Sequence, residues 1–270
     1  MVKITSIKAR EILSSGSSPT IEVEVILNDG SRGISSAPFG VSAGEHEAAV
    51  LLDNDPARYH GKGALKAIAN VTNTIAPNLV GMDATNQQGI DNKMIELDGT
   101  PNKAKLGGNA VIATSVACAR AAASASKMPL YKYIRQAFQL KIADYQLPNP
   151  MMVVIEGGQH ADNSTDFQEY LICPKKSESV KENVRIGVEI YQTLKEILKA
   201  KNYNTNVGNE GAYAPPGIMK NDEPLELLVQ AIEKTGYRPG AEVGIALDPA
   251  VSEIYQNGKY HLAKEERVLT

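Results

Sequence analysis

EVGIALDPAV, residues 242–251, is an apolar run that delivers a single carboxylate, Asp248, just before Pro249. The run is apolar on both faces, the pattern of a strand buried on both sides. Proline disfavours helix for the residue before it, so Asp248 is expected at the strand's tip. A carboxylate there suits a metal ion. Alone it makes a poor Mg²⁺ site, because that ion takes an octahedron of hard oxygens. Its partners must therefore come from other elements of the chain.

Working outward, the chain has 270 residues, room for one large domain or two smaller ones. Hydrophobic residues make up 43% and the net charge is −3, with acids and bases interspersed. No basic stripe stands out, which argues against nucleic acid as a partner. Cys118 lies in an Ala-rich helical stretch and Cys173 in an apolar run, so both read as core thiols rather than a disulfide. The first residues, MVKITSIKAR, lack the apolar core of a signal peptide. The smoothest apolar stretch, NAVIATSVACARAAASAS (109–126), carries Arg120 and is too short and polar to span a bilayer. The expectation is a cytoplasmic chain with no membrane partner.

Residues 3 to 37 read as a three-stranded antiparallel meander. TIEVEVIL (20–27) alternates apolar and acidic residues, and Asp29-Gly30 signals a tight hairpin turn. From about 60 to 138 the period turns helical. Leu65, Ile68, Val71 and Ile75 share one face, and Pro77 is expected to interrupt it. A second helix carries Ile90, Met94 and Leu97 and stops at Gly99. Beyond LPNPMMVVIEGG (147–158) apolar strands mix with helices. Ser179 to Glu182 forms a capping box, with Val180, Val184, Gly187, Tyr191, Leu194 and Leu198 as the expected inner face. Asp222-Glu223-Pro224 opens a further helix, with Leu225, Leu228, Val229 and Ile232 inward. This organisation predicts an α+β N-terminal domain (three-stranded meander plus helices) over 1–142, followed over 143–270 by an incomplete β/α (TIM-like) barrel with parallel strands. A full barrel takes about 250 residues, roughly twice what is available after residue 142.

Four stretches carry groups suited to chemistry. APFGVSAGEHEA (37–48) is a Gly/Ser loop able to close over a ligand, or a plain surface loop. GGQHADNSTDFQE (157–169) gathers His160, Asp162, Asp166, Gln168 and Glu169; His160 and Glu169 could touch a polar substrate, or the histidine could be a hydrogen-bonded loop residue. VGNEGAYAP (207–215) sets Glu210 among glycines, where backbone can approach a ligand and a carboxyl can act as general acid, or simply sit in a turn. Asp248 is the fourth, as metal ligand or as helix N-cap.

Taken in order, AREIL, GEHEA, GMDATNQ, IELDGTPNKAKLG, PLYKY, GGQHADN, QEY, VGNEGAYAP and IALDPAVSE resemble the enolase (phosphopyruvate hydratase) family from end to end. The resemblance implies a small α+β domain followed by an α/β barrel. It implies the Mg²⁺-dependent dehydration of 2-phosphoglycerate to phosphoenolpyruvate in glycolysis, a lyase reaction with two metal ions. Chemistry of this kind pairs a Lys or His base with Mg²⁺ holding an ene-diolate. By motif, Glu210 and Glu169 match the catalytic acid and its assistant. His160, Gln168 and Ser42 match substrate-contacting positions, and Asp248 matches a metal ligand. Phe39 stands where the family loop has a serine, and Asn209 where it has an aspartate beside the acid. The remaining metal ligands and the base lysine of the family belong to later barrel strands. The expectation is therefore a truncated chain, inactive alone, that needs a complementary C-terminal segment or forms a homo-oligomer. A noncatalytic enolase-like binding or assembly protein remains an open alternative.

Overall fold

A computed structural model describes residues 1–40, 43–142 and 144–270. The chain divides into two compact units, one of Met1–Gly40 with His46–Asp144 and the other built chiefly of Tyr145–Thr270.

The first unit opens with β1 (Ile4–Leu13), β2 (Pro19–Leu27) and β3 (Arg32–Ser36), an antiparallel sheet in sequence order, as the alternation predicts. Asp29-Gly30 makes the β2–β3 turn: Gly30 has φ +84 and the Ser31 N–H donates to Asp29 Oδ1. Ile21, Val23, Val25 and Leu27 of β2 all face the core. Helices α1 (Leu65–Asn70) and α2 (Ala76–Leu79) are joined by a π-helical turn at Val71–Ile75. Pro77 therefore does not end the helix as its sequence position suggests. It sits in the first turn of α2, after the widened turn, where its missing N–H costs little. Leu65, expected inside, is exposed, while Val71 and Ile75 are buried.

Next come α3 (Gln87–Asp98), closed by Gly99 in the left-handed region, α4 (Gly108–Ala125) and α5 (Leu130–Ala137). The small residues of α4 let it approach the meander closely. At Gly33 a Cβ would fall 2.2 Å from the Ala117 carbonyl oxygen and 2.3 Å from the Ala121 nitrogen.

The second unit holds β4 (Met152–Glu156), β5 (Glu169–Pro174), α6 (Val180–Ala200), α7 (Glu223–Lys234) and β6 (Val243–Asp248). Its sheet order is β4-β5-β6, and both pairings are antiparallel. This overturns the expected all-parallel arrangement. The segment between β4 and β5 holds only a short 3-10 turn, Gly158–His160, so no helical crossover carries the chain back to start a parallel neighbour. β4 and β6 run the same way, with β5 reversed between them. The described strands form no closed barrel. β6 is also less buried than its apolar sequence predicts: Val243 is fully buried, but Leu247 is 40% exposed because the strand lies at the edge of the sheet.

The core of this unit packs Val154, Ile155, Tyr170 and Ile172 with Ile186, Ile190, Leu194, Ile197 and Leu198 of α6. Leu227, Leu228, Ala231 and Ile232 of α7 complete it. The inner stripe of α6 thus runs through its isoleucines, and Val184, expected inside, is exposed. The capping Ser179 does accept the Glu182 N–H, while the Glu182 carboxylate turns to Arg185. After α8 (Val251–Ile254), three short strands, β7 (Tyr255–Gln256), β8 (Lys259–Leu262) and β9 (Arg267–Leu269), form a second antiparallel meander. Its first turn is Asn257-Gly258, both at positive φ, a hairpin signal as plain as Asp29-Gly30. No helix among the described residues is long and apolar enough to cross a membrane.

Candidate functional site

The register of the β4-β5-β6 sheet brings three acidic residues into one row. Glu156, at the end of β4, pairs with Glu169, at the start of β5, and Glu169 pairs with Asp248, at the end of β6. Directly paired residues of an antiparallel ladder share a face, and like charges so placed repel. Such a row persists only where each carboxylate finds a proton, a donor or a cation.

Glu156 finds donors. Its Oε1 accepts the backbone N–H of Glu210 at 3.1 Å and of Ala212 at 2.9 Å. The residue is wholly buried, and its Oε2 has no hydrogen-bond partner. Gly208 makes this contact possible, because a Cβ there would lie 2.1 Å from Oε2. The loop carrying Glu210 is held from the other side by Tyr191, whose hydroxyl donates to the Gly211 carbonyl at 2.7 Å. The Tyr191 ring stacks on Tyr213 at 4.3 Å between centroids. Tyr213 in turn bridges to Val207 and to Ile155 of β4.

His160 is placed by the loop after β4. The Gly157 N–H donates to the Gln168 carbonyl, and the Gly158 N–H to the Thr165 carbonyl, folding residues 157–168 back on themselves. Gly157 cannot carry a side chain, since a Cβ would fall 2.1 Å from Thr165 Oγ1. The His160 ring is buried, and its Nδ1 lies 3.5 Å from Glu169 Oε1 without a hydrogen-bond partner. Gln168, which precedes Glu169 in the chain, is buried as well.

One donor atom from each of His160, Glu169 and Glu210 lies within 4.8 Å of the others. Burial raises the Glu169 carboxyl above the ordinary carboxylate range. The negative charges of Glu210 and Asp248 and a side-chain hydrogen bond with Glu210 push the same way, and His160 opposes them. Among the described residues the ion-pair partner of Glu169 is His160, not a lysine or arginine.

For Mg²⁺ the fit is poor. The ion wants near-octahedral oxygen coordination. Asp248 offers one exposed carboxylate, whose Oδ1 already accepts the Ala250 N–H at 3.0 Å. The one converging group of three metal-competent side chains among the described residues is that of His160, and it does not include Asp248.

Comparison with known protein families matches residues 4–134 to "Enolase, N-terminal domain" and residues 144–268 to "Enolase, C-terminal TIM barrel domain". The chain belongs to the enolase family. Of the residues singled out in the sequence, the enolase-type chain brings His160, Glu169 and Glu210 together, with Asp248 paired directly opposite Glu169 in the β5–β6 ladder and Gln168 adjacent along the chain. Ser42 lies outside the described residues. Asp166, also noted in the sequence, serves the scaffold: its carboxylate accepts from Asn221 Nδ2 and from the Lys264 N–H. The residue that sequence reading missed is Glu156. Its signature, VVIEGG, is the same as that of IALDPA: an apolar strand that ends in a carboxylate before residues that break the strand.

Proposed function

We propose that His160, Glu169 and Glu210 form the acid side of an enolase-type dehydration site acting on 2-phosphoglycerate. The observation that supports this reading most is the close carboxyl pair Glu169–Glu210 beside a buried histidine. Loss of a hydroxide from the carbon next to a carbanion-like centre requires a proton donor. A carboxyl whose hold on its proton is strengthened by burial and a neighbouring negative charge suits that role. Glu210 is exposed and faces the substrate side; Glu169, partly buried, holds and passes the proton. His160 orients a substrate oxygen, and Gln168 lines the same patch.

The reaction also needs a base to remove the proton on the neighbouring carbon and a hard cation to hold the resulting ene-diolate. Asp248 is proposed as one ligand of that cation. The described residues build neither the rest of its cage nor a lysine base at the cluster, so the chain by itself is proposed to be inactive. A complementary barrel segment, or a second copy, would have to complete the ring of strands.

The test mixes the chain with a separately produced C-terminal barrel half from an enolase, with Mg²⁺ and 2-phosphoglycerate, and follows phosphoenolpyruvate. Turnover is expected only in the mixture and is expected to disappear with Glu210→Gln. Absence of turnover in a mixture shown to associate would favour a noncatalytic binding protein. Turnover by the chain alone would overturn the proposed inactivity.

A further inference from the structure

Away from the His160 cluster, the charged groups mostly serve local structure. Glu11 and Asp53 are paired with Arg58 and with the N–H groups of Ala64, Leu65 and Lys66, which fixes the start of α1. Cys118 is a buried thiol whose burial pushes it up to about 12, so it is inert. One buried network differs. It joins three segments far apart in the chain, and one of them leads into the site.

Its centre is Asn221, just before α7 and only 6% exposed. The side-chain oxygen accepts the Phe167 N–H at 3.0 Å and the Tyr170 hydroxyl at 3.3 Å. The side-chain nitrogen donates to Asp166 Oδ2 at 3.3 Å and to Glu265 Oε1 at 2.8 Å. An amide has two acceptor positions and two donors, so all of them are used. Glu265 Oε1 also accepts the Asn221 backbone N–H at 2.7 Å, and Glu265 Oε2 accepts from Arg267 Nη1 at 2.8 Å. The Lys264 N–H donates to Asp166 Oδ1 at 2.9 Å and closes the ring.

Phe167 and Tyr170 flank Gln168 and Glu169 in the chain. Asn221 therefore grips the start of β5 on both sides of two site residues. Its other hand holds the turn between β8 and β9. An amide suits this place better than a carboxylate would, since an aspartate at 221 would set a third negative charge between Asp166 and Glu265. The Asn221 N–H is the main group holding the Glu265 carboxyl below the ordinary carboxylate range.

We propose that Asn221 is a positioning residue for the site: it clamps the entry to β5 that carries Gln168 and Glu169, and through Glu265 it makes the β7–β9 meander part of that support. The proposal rests on the dehydration reading only in calling those residues a site. The clamp itself is a statement about how this chain holds residues 166–170.

The test is amide hydrogen exchange on the full chain carrying Glu265→Ala, with Glu265→Gln and Asn221→Ala beside it. Glu265 does not touch Phe167 directly, so a change there reports coupling through Asn221. Glu265→Ala is expected to speed exchange at the Phe167 amide by more than about 10-fold, the loss that removing a hydrogen bond to a charged group can cause. Glu265→Gln keeps an acceptor for the Asn221 N–H and is expected to restore most of the protection. Asn221→Ala is expected to act as Glu265→Ala does; should it fail to fold, the two Glu265 variants still decide. The centre of α6 and strand β2 are expected to stay protected throughout. Unchanged exchange at Phe167 in Glu265→Ala would overturn the clamp. So would an equal rise in α6 and β2, which would mean that Glu265 serves global stability alone. In the mixture with a C-terminal barrel half, Glu265→Ala is expected to lower turnover about 10-fold and Glu265→Gln to recover it. A parent mixture without turnover would sink the dehydration reading and leave the exchange result to decide the clamp.

Discussion

Glu156 Oε1 accepts the backbone N–H of Glu210 at 3.1 Å, so a buried carboxylate on β4 sets the position of the loop that carries the exposed acid. The same oxygen accepts the Ala212 N–H. Glu156→Ala would strip both N–H groups of their acceptor in a buried place, at a cost of about 3 kcal/mol. Glu156→Gln keeps an acceptor oxygen and removes a buried charge, so its stability is expected to stay within about 1 kcal/mol of the parent. Urea denaturation measures both costs. Hydrogen exchange at the Glu210 and Ala212 amides reports on the loop itself, with faster exchange expected in the Ala variant alone. Equal protection in all three proteins would show that the carboxylate does not hold the loop.

Gly33 is required by the close approach of α4 to β3. The atoms that a Cβ would meet are the backbone of Ala117 and Ala121, which cannot swing aside. Gly33→Ala is therefore expected to cost about 3 kcal/mol, the upper end of ordinary overpacking. The change should appear as a lower thermal midpoint of the first unit. A midpoint equal to that of the parent would mean that α4 shifts freely, contrary to the packing seen.

Asp98 predicts an acid limb in the stability curve. Its burial alone would raise the carboxyl, but N–H donors from Leu106 and Thr100 and the Thr100 hydroxyl outweigh that and hold it below the ordinary range. A carboxyl lowered on folding stabilises the native state above its unfolded pKa. That contribution is lost as pH falls through the lower, folded value. Asp98→Asn replaces one acceptor oxygen by a donor facing the buried Leu106 N–H, so it should destabilise at pH 7 by about 1–3 kcal/mol. The gap between parent and variant should narrow as the pH drops below the ordinary aspartate value of 3.8. A gap independent of pH down to the acid transition would falsify the assignment.

Much of this fold is carried by local signals. The alternation of TIEVEVIL, the Asp29-Gly30 turn and the glycine stop after Asp98 act over a few residues, so the meander and α3 are legible directly. Strand direction in the second unit is not local. An apolar strand reads the same whichever way it runs, and only the lack of a helical period between Glu156 and Glu169 hints at the reversal. The inner face of α6 is ambiguous for a related reason. Apolar residues cover a wide arc, and contact with β5 selects the isoleucines over Val184. At the site, His160, Glu210 and Asp248 announce themselves by glycine loops and a strand tip. The row Glu156–Glu169–Asp248 depends on register, which a single sequence does not display.

Tyr191 supplies a last check, because it supports the Glu210 loop from the helix side in two separable ways. Its hydroxyl donates to the Gly211 carbonyl, and its ring lies nearly parallel to that of Tyr213, 7° apart. Tyr191→Phe removes the hydrogen bond and keeps the stack; a loss of about 1 kcal/mol is expected. Tyr191→Ala removes both, with an expected loss of about 3 kcal/mol from lost aromatic contact and a cavity. If the loop is the element that these contacts order, Tyr191→Phe should speed amide exchange between Gly208 and Tyr213 while leaving the centre of α6 protected. Uniform loss of protection through α6 would mean instead that Tyr191 serves the helix core, and that the loop is held by Glu156 alone.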